Sequence, residues 1–155
     1  MTIYNRYDLN ENSAVQNKAI IRSAYRSFVK GDLGALEALL HAKFAYKAPH
    51  YFPWGGSTMS PKGYLEKIVP QLRSSLDFGK FRCVQITAED DRVVALVEIG
   101  IVGREDEVIL CDQWSVENGK IRFLLSSCFE PLSLLISLEA RRTSPHHASP
   151  NWSAY

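Results

Sequence analysis

The sequence predicts an α+β fold, with helices in its first half and consecutive antiparallel strands in its second half. Three observations support this prediction. Apolar residues recur at helical spacing up to about residue 72. From residue 81 onward they form strand-like runs. Turn-forming residues separate those runs. This order of elements is typical of an α+β domain rather than a doubly wound sheet. We expect the sheet to curl over the helices and to leave a pocket between them.

The first two helices form a predicted helical hairpin. Ser13 and Gln16 match a capping box at the start of the first helix, and Gly31 can adopt the left-handed conformation that ends it. Asp32 is then the expected N-cap of a second, short helix. The joining segment is short, so we expect the two helices to pack closely.

A short strand at 44–47 and an aromatic loop at 50–56 precede the third predicted helix. Ser60 and Pro61 mark the start of this helix, because proline is favoured at the first helical position. Pro70 lies inside the apolar pattern and is expected to kink or end the helix, since it lacks a backbone donor.

The remaining strands are predicted from apolar runs bounded by Asp-, Asn- and Gly-containing turns, which are typical of hairpins. They cover 81–87, 93–102, 107–116 and 121–130. A last short helix is expected to begin at Pro131.

Length and composition limit the function classes. The 155 residues are enough for one domain, which we assign to 1–142, followed by a flexible tail at 143–155. The fractions of hydrophobic residues (46%) and charged residues (23%) exclude a disordered chain. A net charge of +1 provides no field that would attract nucleic acid or an anionic membrane, so we expect neither as a partner.

The expected location is the cytoplasm, and no cofactor is expected. The chain contains no apolar run of about 18 residues and begins with no signal-peptide pattern. Cys83, Cys111 and Cys128 lack the spacing of a zinc site or a disulfide framework, and we interpret them as buried thiols in a reducing compartment. Phosphate-loop, dinucleotide and serine-nucleophile motifs are missing as well. We therefore predict no metal.

Asp112 is the most informative single residue. Its predicted strand alternates between two faces, and Asp112 lies in the more apolar row together with Val108, Leu110, Trp114 and Val116. Burial of a carboxylate there is costly unless the group is paired, protonated or facing a wet cavity. Two interpretations stay open: a strand-edge carboxylate that reaches solvent or an arginine, and an acid in a pocket.

Three further residues are candidate acids, bases or ligand contacts, each with a structural alternative. Glu98 either lies in the ligand site or is solvated or salt-bridged. Glu130 either caps the helix that begins at Pro131 or acts as an acid at the mouth of the cleft. His50, on the aromatic loop, is either a general base or a structural histidine.

Several aromatic residues fall on the predicted inner elements and on the loop. Such a set forms core in most proteins, but it also suits a flat apolar ligand. We assign Tyr46, Tyr51, Trp54 and Trp114 to ligand binding. We assign Tyr25 to the candidate catalytic residues, as a hydrogen-bond donor.

Four segments resemble the SnoaL-like branch of the nuclear transport factor 2-like superfamily: FVKGDLGAL (28–36), PWGG (53–56), WSVENGKI (114–121) and FEPL (129–132). The resemblance covers about residues 17–138. It implies a curved antiparallel sheet wrapped into a cone around three N-terminal helices, as in cystatin-like folds. It also implies an apolar pocket with one or two acids and a homodimer. This scaffold hosts isomerases, cyclases, epoxide hydrolases and non-enzymatic binders, so the resemblance specifies fold more than function.

Residue by residue, the resemblance transfers in part. Asp112 falls where the similar ketosteroid isomerases keep a protonated Asp as an oxyanion donor. Their general base corresponds to Ala48 and their oxyanion tyrosine to Ala24, with Tyr25 one place along. Glu130 falls where similar cyclases and epoxide hydrolases carry an Asp, but the second long strand lacks the Arg and Asp that such hydrolases need. These differences argue against steroid isomerisation and epoxide hydrolysis.

We expect a small apolar molecule, carbonyl-containing or polycyclic, to bind in the cone, and the sequence leaves open whether chemistry follows. An enzyme of this kind would be a cofactor-free isomerase or cyclase, with Asp112 as acid or oxyanion donor and His50 or Glu130 as base. It would keep Asp112 buried with a raised pKa. The alternatives are a non-catalytic binding module and a dimeric interaction module of the same fold.

Overall fold

The computed structural model describes residues 6–143, with side chains from residue 12 onward. Its helices are α1 (Arg6–Lys30), α2 (Leu33–Leu39), α3 (Pro61–Gly63), α4 (Val69–Ser75) and α5 (Leu132–Thr143), and a π-helical turn (Tyr64–Ile68) joins α3 to α4. Its strands are β1 (Leu40–Ala48), β2 (Gly56–Thr58), β3 (Leu76–Glu89), β4 (Arg92–Ile101), β5 (Glu107–Glu117) and β6 (Lys120–Phe129).

The strands form one curved, unclosed sheet of six strands in the order β2-β1-β6-β5-β4-β3. The predicted α+β class is confirmed. The prediction of an antiparallel sheet misses one detail, since β1 and β6 run parallel while the other neighbouring strands in this sheet are antiparallel. A parallel pair requires a long crossover, and here the chain from β2 to β5 supplies it.

The helical hairpin forms as predicted, except at its start. Helix α1 begins at Arg6, so Ser13 lies inside the helix and does not cap it. No glycine or proline interrupts the chain before Gly31, and the helix therefore continues through the apparent capping box. Gly31 then adopts a positive φ of 71°, and the Asp32 carboxylate accepts a hydrogen bond of 2.9 Å from the Ala35 N–H.

Pro70 does not end the third helical segment. The segment begins as predicted, with the Ser60 hydroxyl accepting a hydrogen bond of 2.9 Å from the Gly63 N–H. The Val69 N–H donates to the Tyr64 carbonyl, which widens the turn before the proline. Pro70 therefore falls in the first turn of α4, where its missing donor costs little, and the helix resumes.

The four long strands of the second half are all present, while several boundaries differ from the prediction. Strand β1 begins at Leu40 and β3 at Leu76, each directly after a helix, because no turn residue separates them from that helix. The short strand β2 has no predicted counterpart. Apart from Thr143, the predicted tail lies outside the described residues.

The three cysteines are free, but the expectation that all of them are buried is wrong. Cys83 is exposed on β3, where the strand borders a surface groove, while Cys111 and Cys128 are half-buried. Within residues 6–143, no helix is long and apolar enough to cross a membrane.

The core lies between the concave face of the sheet and the helices. Side chains alternate along β4, so that one row is buried and the other faces outward. Helix α1 packs against this buried row. The core residues of these two elements are Ile21, Ala24, Tyr25, Phe28, Val93, Ala95, Val97, Ile99 and Ile101.

Candidate functional site

An apolar cavity of about 50 Å³ lies between α1 and the concave face of the sheet. This volume is well below the roughly 150 Å³ of an apolar protein cavity that binds benzene. A ligand as large as an aromatic ring therefore requires half-buried rings such as Phe78 or Phe81 to move. The cavity is lined by Tyr25, Phe28, Tyr46, Tyr64, Leu72, Leu76, Phe78, Phe81, Val97, Ile99, Leu110, Asp112, Trp114, Leu124 and Ser126.

Asp112 projects from the middle of β5 into this cavity wall and is 5% exposed. The Tyr25 hydroxyl donates a hydrogen bond of 2.8 Å to Oδ2, and the Ser126 hydroxyl donates one of 2.6 Å to Oδ1. The Trp114 ring N–H donates in turn to the Tyr25 oxygen at 3.1 Å. The result is a hydrogen-bond chain from Trp114 through Tyr25 to Asp112, with Ser126 holding the other carboxyl oxygen.

Burial raises the pKa of Asp112 above its usual range, and the hydrogen bonds from Ser126 and Tyr25 partly oppose that rise. No lysine, arginine or histidine is among the described residues that line the cavity, so none of these residues balances the negative charge of the carboxylate. Burial also raises the pKa of Tyr25, and the charge of Asp112 adds to this effect. The carboxyl group therefore exchanges its proton at a higher pH than a surface aspartate, which suits it to acid–base chemistry.

Tyr46 supplies a second polar group to the same cavity. It lies on β1, is 1% exposed, and its hydroxyl has no hydrogen-bond partner in the described part of the chain. Burial raises the pKa of Tyr46, and Asp112 contributes further to the rise, so the hydroxyl keeps its proton. A buried unsatisfied hydroxyl costs about 1–3 kcal/mol, which an acceptor atom of a ligand would recover.

The structure places Tyr25, Tyr46, Asp112 and Trp114 together around the cavity, as their sequence-based assignment requires. Tyr25 contacts Asp112, while the neighbouring Ala24 lacks a hydroxyl group. The catalytic and binding roles of these residues remain predictions.

Glu98 and Glu130 lie outside the cavity. Glu98 faces the outer side of β4, opposite to the buried Ala95, and forms an ion pair with Arg82. Glu130 follows β6, is exposed, and has a positive φ of 52°. The structure thus corrects the inclusion of Glu98 among cavity residues, because strand alternation places it on the other face.

The aromatic loop between β1 and β2 also lies outside the main cavity. His50 and Tyr51 are exposed. Trp54 is buried, stacks on Phe52 with ring centroids 4.9 Å apart, and lines an adjacent cavity of about 20 Å³ that shares Ser126 with the first. Neither His50 nor Glu130 lines the main cavity, so the expectation that one of them acts as a base beside Asp112 does not fit the geometry.

Sequence reasoning missed Ser126, which pairs directly with Asp112 across β5 and β6. The Asn118-Gly119 turn predicts that Asp112 lies opposite Leu125, since the turn sets the register of the hairpin. A β-bulge after Ser115 shifts that register by one residue. The sequence carries no clear signal for this bulge.

Within the described residues, no three His, Cys, Asp or Glu side chains are grouped so that they could hold a metal ion. The cavity polar groups are hydroxyls, one carboxyl and one indole N–H. This donor set suits an uncharged ligand with an oxygen atom that can accept a hydrogen bond.

No protein-family model and no curated protein matches the chain. Solved structures do. The chain is similar to an NTF2-like protein from Burkholderia thailandensis, with a TM-score of 0.67, 16% identity, and 83% of this chain and 98% of that chain covered. It is similar to TerC co-crystallised with polyporic acid, with a TM-score of 0.67, 17% identity, and coverage of 80% and 98%.

A third similar structure is a LEH-like epoxide hydrolase from M. tuberculosis, with a TM-score of 0.64, 12% identity, and 83% of this chain and 96% of that chain covered. Identities this low establish the fold and leave the activity open. The resemblance that the sequence motifs predict is confirmed at this level. The chain has the nuclear transport factor 2-like fold.

Proposed function

We propose that the cavity binds a small apolar carbonyl compound and catalyses a cofactor-free proton transfer on it, as an isomerisation or cyclisation requires. The observation that carries this proposal is the buried Asp112 carboxyl, held by Tyr25 and Ser126 in an apolar wall that has no lysine, arginine or histidine among its described lining residues. Fold neighbours described as a LEH-like epoxide hydrolase and as TerC co-crystallised with polyporic acid support ligand binding or catalysis on this fold.

The proposed step uses Asp112 as the base and Tyr46 as the hydrogen-bond donor. The carboxylate removes a proton from the carbon next to the carbonyl group, and the electron pair of that C–H bond moves into the enolate. The Tyr46 hydroxyl, which has no partner among the described residues, donates to the carbonyl oxygen as negative charge develops there. In a β,γ-unsaturated carbonyl compound the enolate is conjugated with the C=C bond, so Asp112 then returns the proton to the γ-carbon and the double bond shifts next to the carbonyl group, which completes an isomerisation.

Tyr25 and Ser126 act in this proposal as positioning residues. Their hydrogen bonds orient the two carboxyl oxygens, and each oxygen keeps a lone pair for the transferred proton. Trp114 fixes the Tyr25 hydroxyl through its ring N–H.

Proton exchange on simple ketones tests this function directly. Acetone and cyclopentanone are incubated with the protein in D₂O, and loss of the α-proton signal is followed by NMR. We expect the wild-type protein to accelerate exchange and Asp112→Asn to lose about 10²–10⁴-fold of that acceleration. Tyr46→Phe should lose about 10²–10³-fold, the usual effect of removing an oxyanion donor.

Glu98→Gln is the matched control, because it makes the same carboxylate-to-amide change on the outer face of the sheet. Circular dichroism verifies that each variant is folded. Equal acceleration by the wild-type protein and Asp112→Asn would rule out the proposed role of Asp112.

The second candidate function is ligand binding without chemistry. It is favoured by the absence of a second acid or base among the described residues that line the cavity. Saturable binding of cyclopentanone without faster exchange would select it over catalysis. The expected homodimer is a separate proposal, which sedimentation velocity would test.

A further inference from the structure

A groove of about 320 Å³ lies between α1 and β3, on the outer side of the cavity. Tyr25 and Phe81 line both the groove and the cavity, so their rings, with centroids 5.1 Å apart, form the boundary between the two spaces. The Tyr25 hydroxyl reaches Asp112 while the residue borders the groove. A single tyrosine side chain therefore spans the distance from the groove to the carboxyl group.

The groove carries three cations in a row. Arg22, Arg26 and Lys30 follow one another at intervals of four residues on α1, a spacing that places them on one helix face over about 12 Å. All three are exposed, and no aspartate or glutamate of the described residues pairs with them or lines the groove. The Arg26 guanidinium donates to the Ser23 hydroxyl, which leaves further donors available.

The cavity has the opposite electrostatic character. It contains a buried carboxyl group and, among the described lining residues, no cation. An anion inside it would lose its hydration and meet the charge of Asp112, so a negative group is excluded there. The two spaces therefore suit different chemical groups: an anion in the groove and an uncharged polar group in the cavity.

The two boundary rings differ in how they are held. Tyr25 is fixed by hydrogen bonds to Asp112 and from Trp114. Phe81 is half-buried on β3 and has an apolar side chain that only packing holds in place. Phe81 is therefore the less restrained of the two boundary rings.

We propose that the ligand of this site is an amphipathic keto acid, whose carboxylate binds Arg22 and Arg26 in the groove while its carbonyl end passes Phe81 into the cavity. This inference rests on the proposed function, since it assigns the carbonyl group to Tyr46 and Asp112. Guanidinium groups bind carboxylates through paired hydrogen bonds, which gives the charged end a defined position.

Affinity measurements with matched probes test this proposal. Calorimetry or NMR titration compares 4-oxopentanoate and 5-oxohexanoate with the neutral ketones 2-hexanone and 2-heptanone. We expect each keto acid to bind at least ten times more tightly than its neutral counterpart at low salt, with a ratio that falls as salt screens the charges. In the double variant Arg22→Gln/Arg26→Gln the ratio should fall to about one.

Lys67→Gln is the control, because Lys67 is an exposed cation on the π-helical turn and does not line the groove. This variant should keep the wild-type ratio. The anion site is disproved by equal affinity for acid and ketone, by no measurable binding of the keto acids, or by a ratio that survives the double variant. Because affinity is measured, none of these outcomes depends on whether the cavity accelerates proton exchange.

Discussion

Two carboxylates on neighbouring central strands lie on opposite faces of the same sheet. Asp112 on β5 faces the concave side, where it is buried and bonded by the neutral hydroxyls of Tyr25 and Ser126. Glu98 on β4 faces the outer side, where it pairs with Arg82, whose side chain is 69% exposed. Both residues lie in the middle of apolar strands, and only the face separates them.

The surroundings of each carboxyl group decide what it can do. Burial raises the pKa of Asp112, and the hydrogen bonds from its two neutral donors only partly oppose that rise. The outer carboxylate of Glu98 is 23% exposed and pairs with a cation that is mostly in solvent, and pairs open to solvent contribute about 0–1 kcal/mol. Substitutions on the two faces should therefore change the free energy of unfolding by different amounts and with a different dependence on pH.

The largest effect on the free energy of unfolding is expected when the buried carboxyl group loses its hydrogen bond from Tyr25. Tyr25→Phe removes the hydrogen bond to Asp112 and leaves the buried Trp114 N–H without its partner. We expect the free energy of unfolding to fall by about 1–3 kcal/mol. Urea denaturation followed by circular dichroism measures the change.

Tyr46→Phe is the matched comparison, because it also removes one buried hydroxyl from a tyrosine of the cavity. That hydroxyl has no partner among the described residues, so its loss should leave stability unchanged or raise it by about 1 kcal/mol. Equal destabilisation by both variants would contradict the hydrogen-bond pattern described above.

Asp112→Asn should change how stability depends on pH. The raised pKa means that the folded protein binds a proton at Asp112 where the unfolded chain has released it. Between the unfolded pKa and the raised folded pKa, the wild-type protein therefore loses stability as pH rises, by about 1.4 kcal/mol per pH unit. The Asn variant lacks this loss.

The free energy of unfolding of Asp112→Asn minus that of the wild-type protein should thus increase from pH 4 upward and become constant above the folded pKa. Urea denaturation at a series of pH values measures this difference. A difference that stays flat from pH 4 to 8 would show that the pKa of Asp112 is not raised.

The fold was predictable from the sequence because its signals are local. The stop at Gly31, the cap at Asp32 and the start at Ser60 each depend on contacts within a few residues, and all three form as expected. The start of α1 was not predictable from its capping motif, because a cap and a helix interior can share the same residues.

Part of the cavity wall was predictable as well. The alternation along β5 places Asp112 and Trp114 in one buried row, which needs no knowledge of other strands. The partner Ser126 depends on a bulge, and the face of Glu98 depends on which side of β4 the helices cover. Both are properties of the assembled sheet, so a pattern within one strand cannot supply them.

The smallest effect is expected on the outer face. Glu98→Gln and Arg82→Gln each break the ion pair, and we expect each to change the free energy of unfolding by less than about 1 kcal/mol. The change in the double variant should be nearly the sum of the two single changes, because the ion pair itself contributes little. Added salt should make the single changes smaller still. A double-mutant cycle at two salt concentrations measures both quantities. A coupling energy above about 2 kcal/mol would show that this ion pair is shielded from solvent, since such values are typical of desolvated charge pairs.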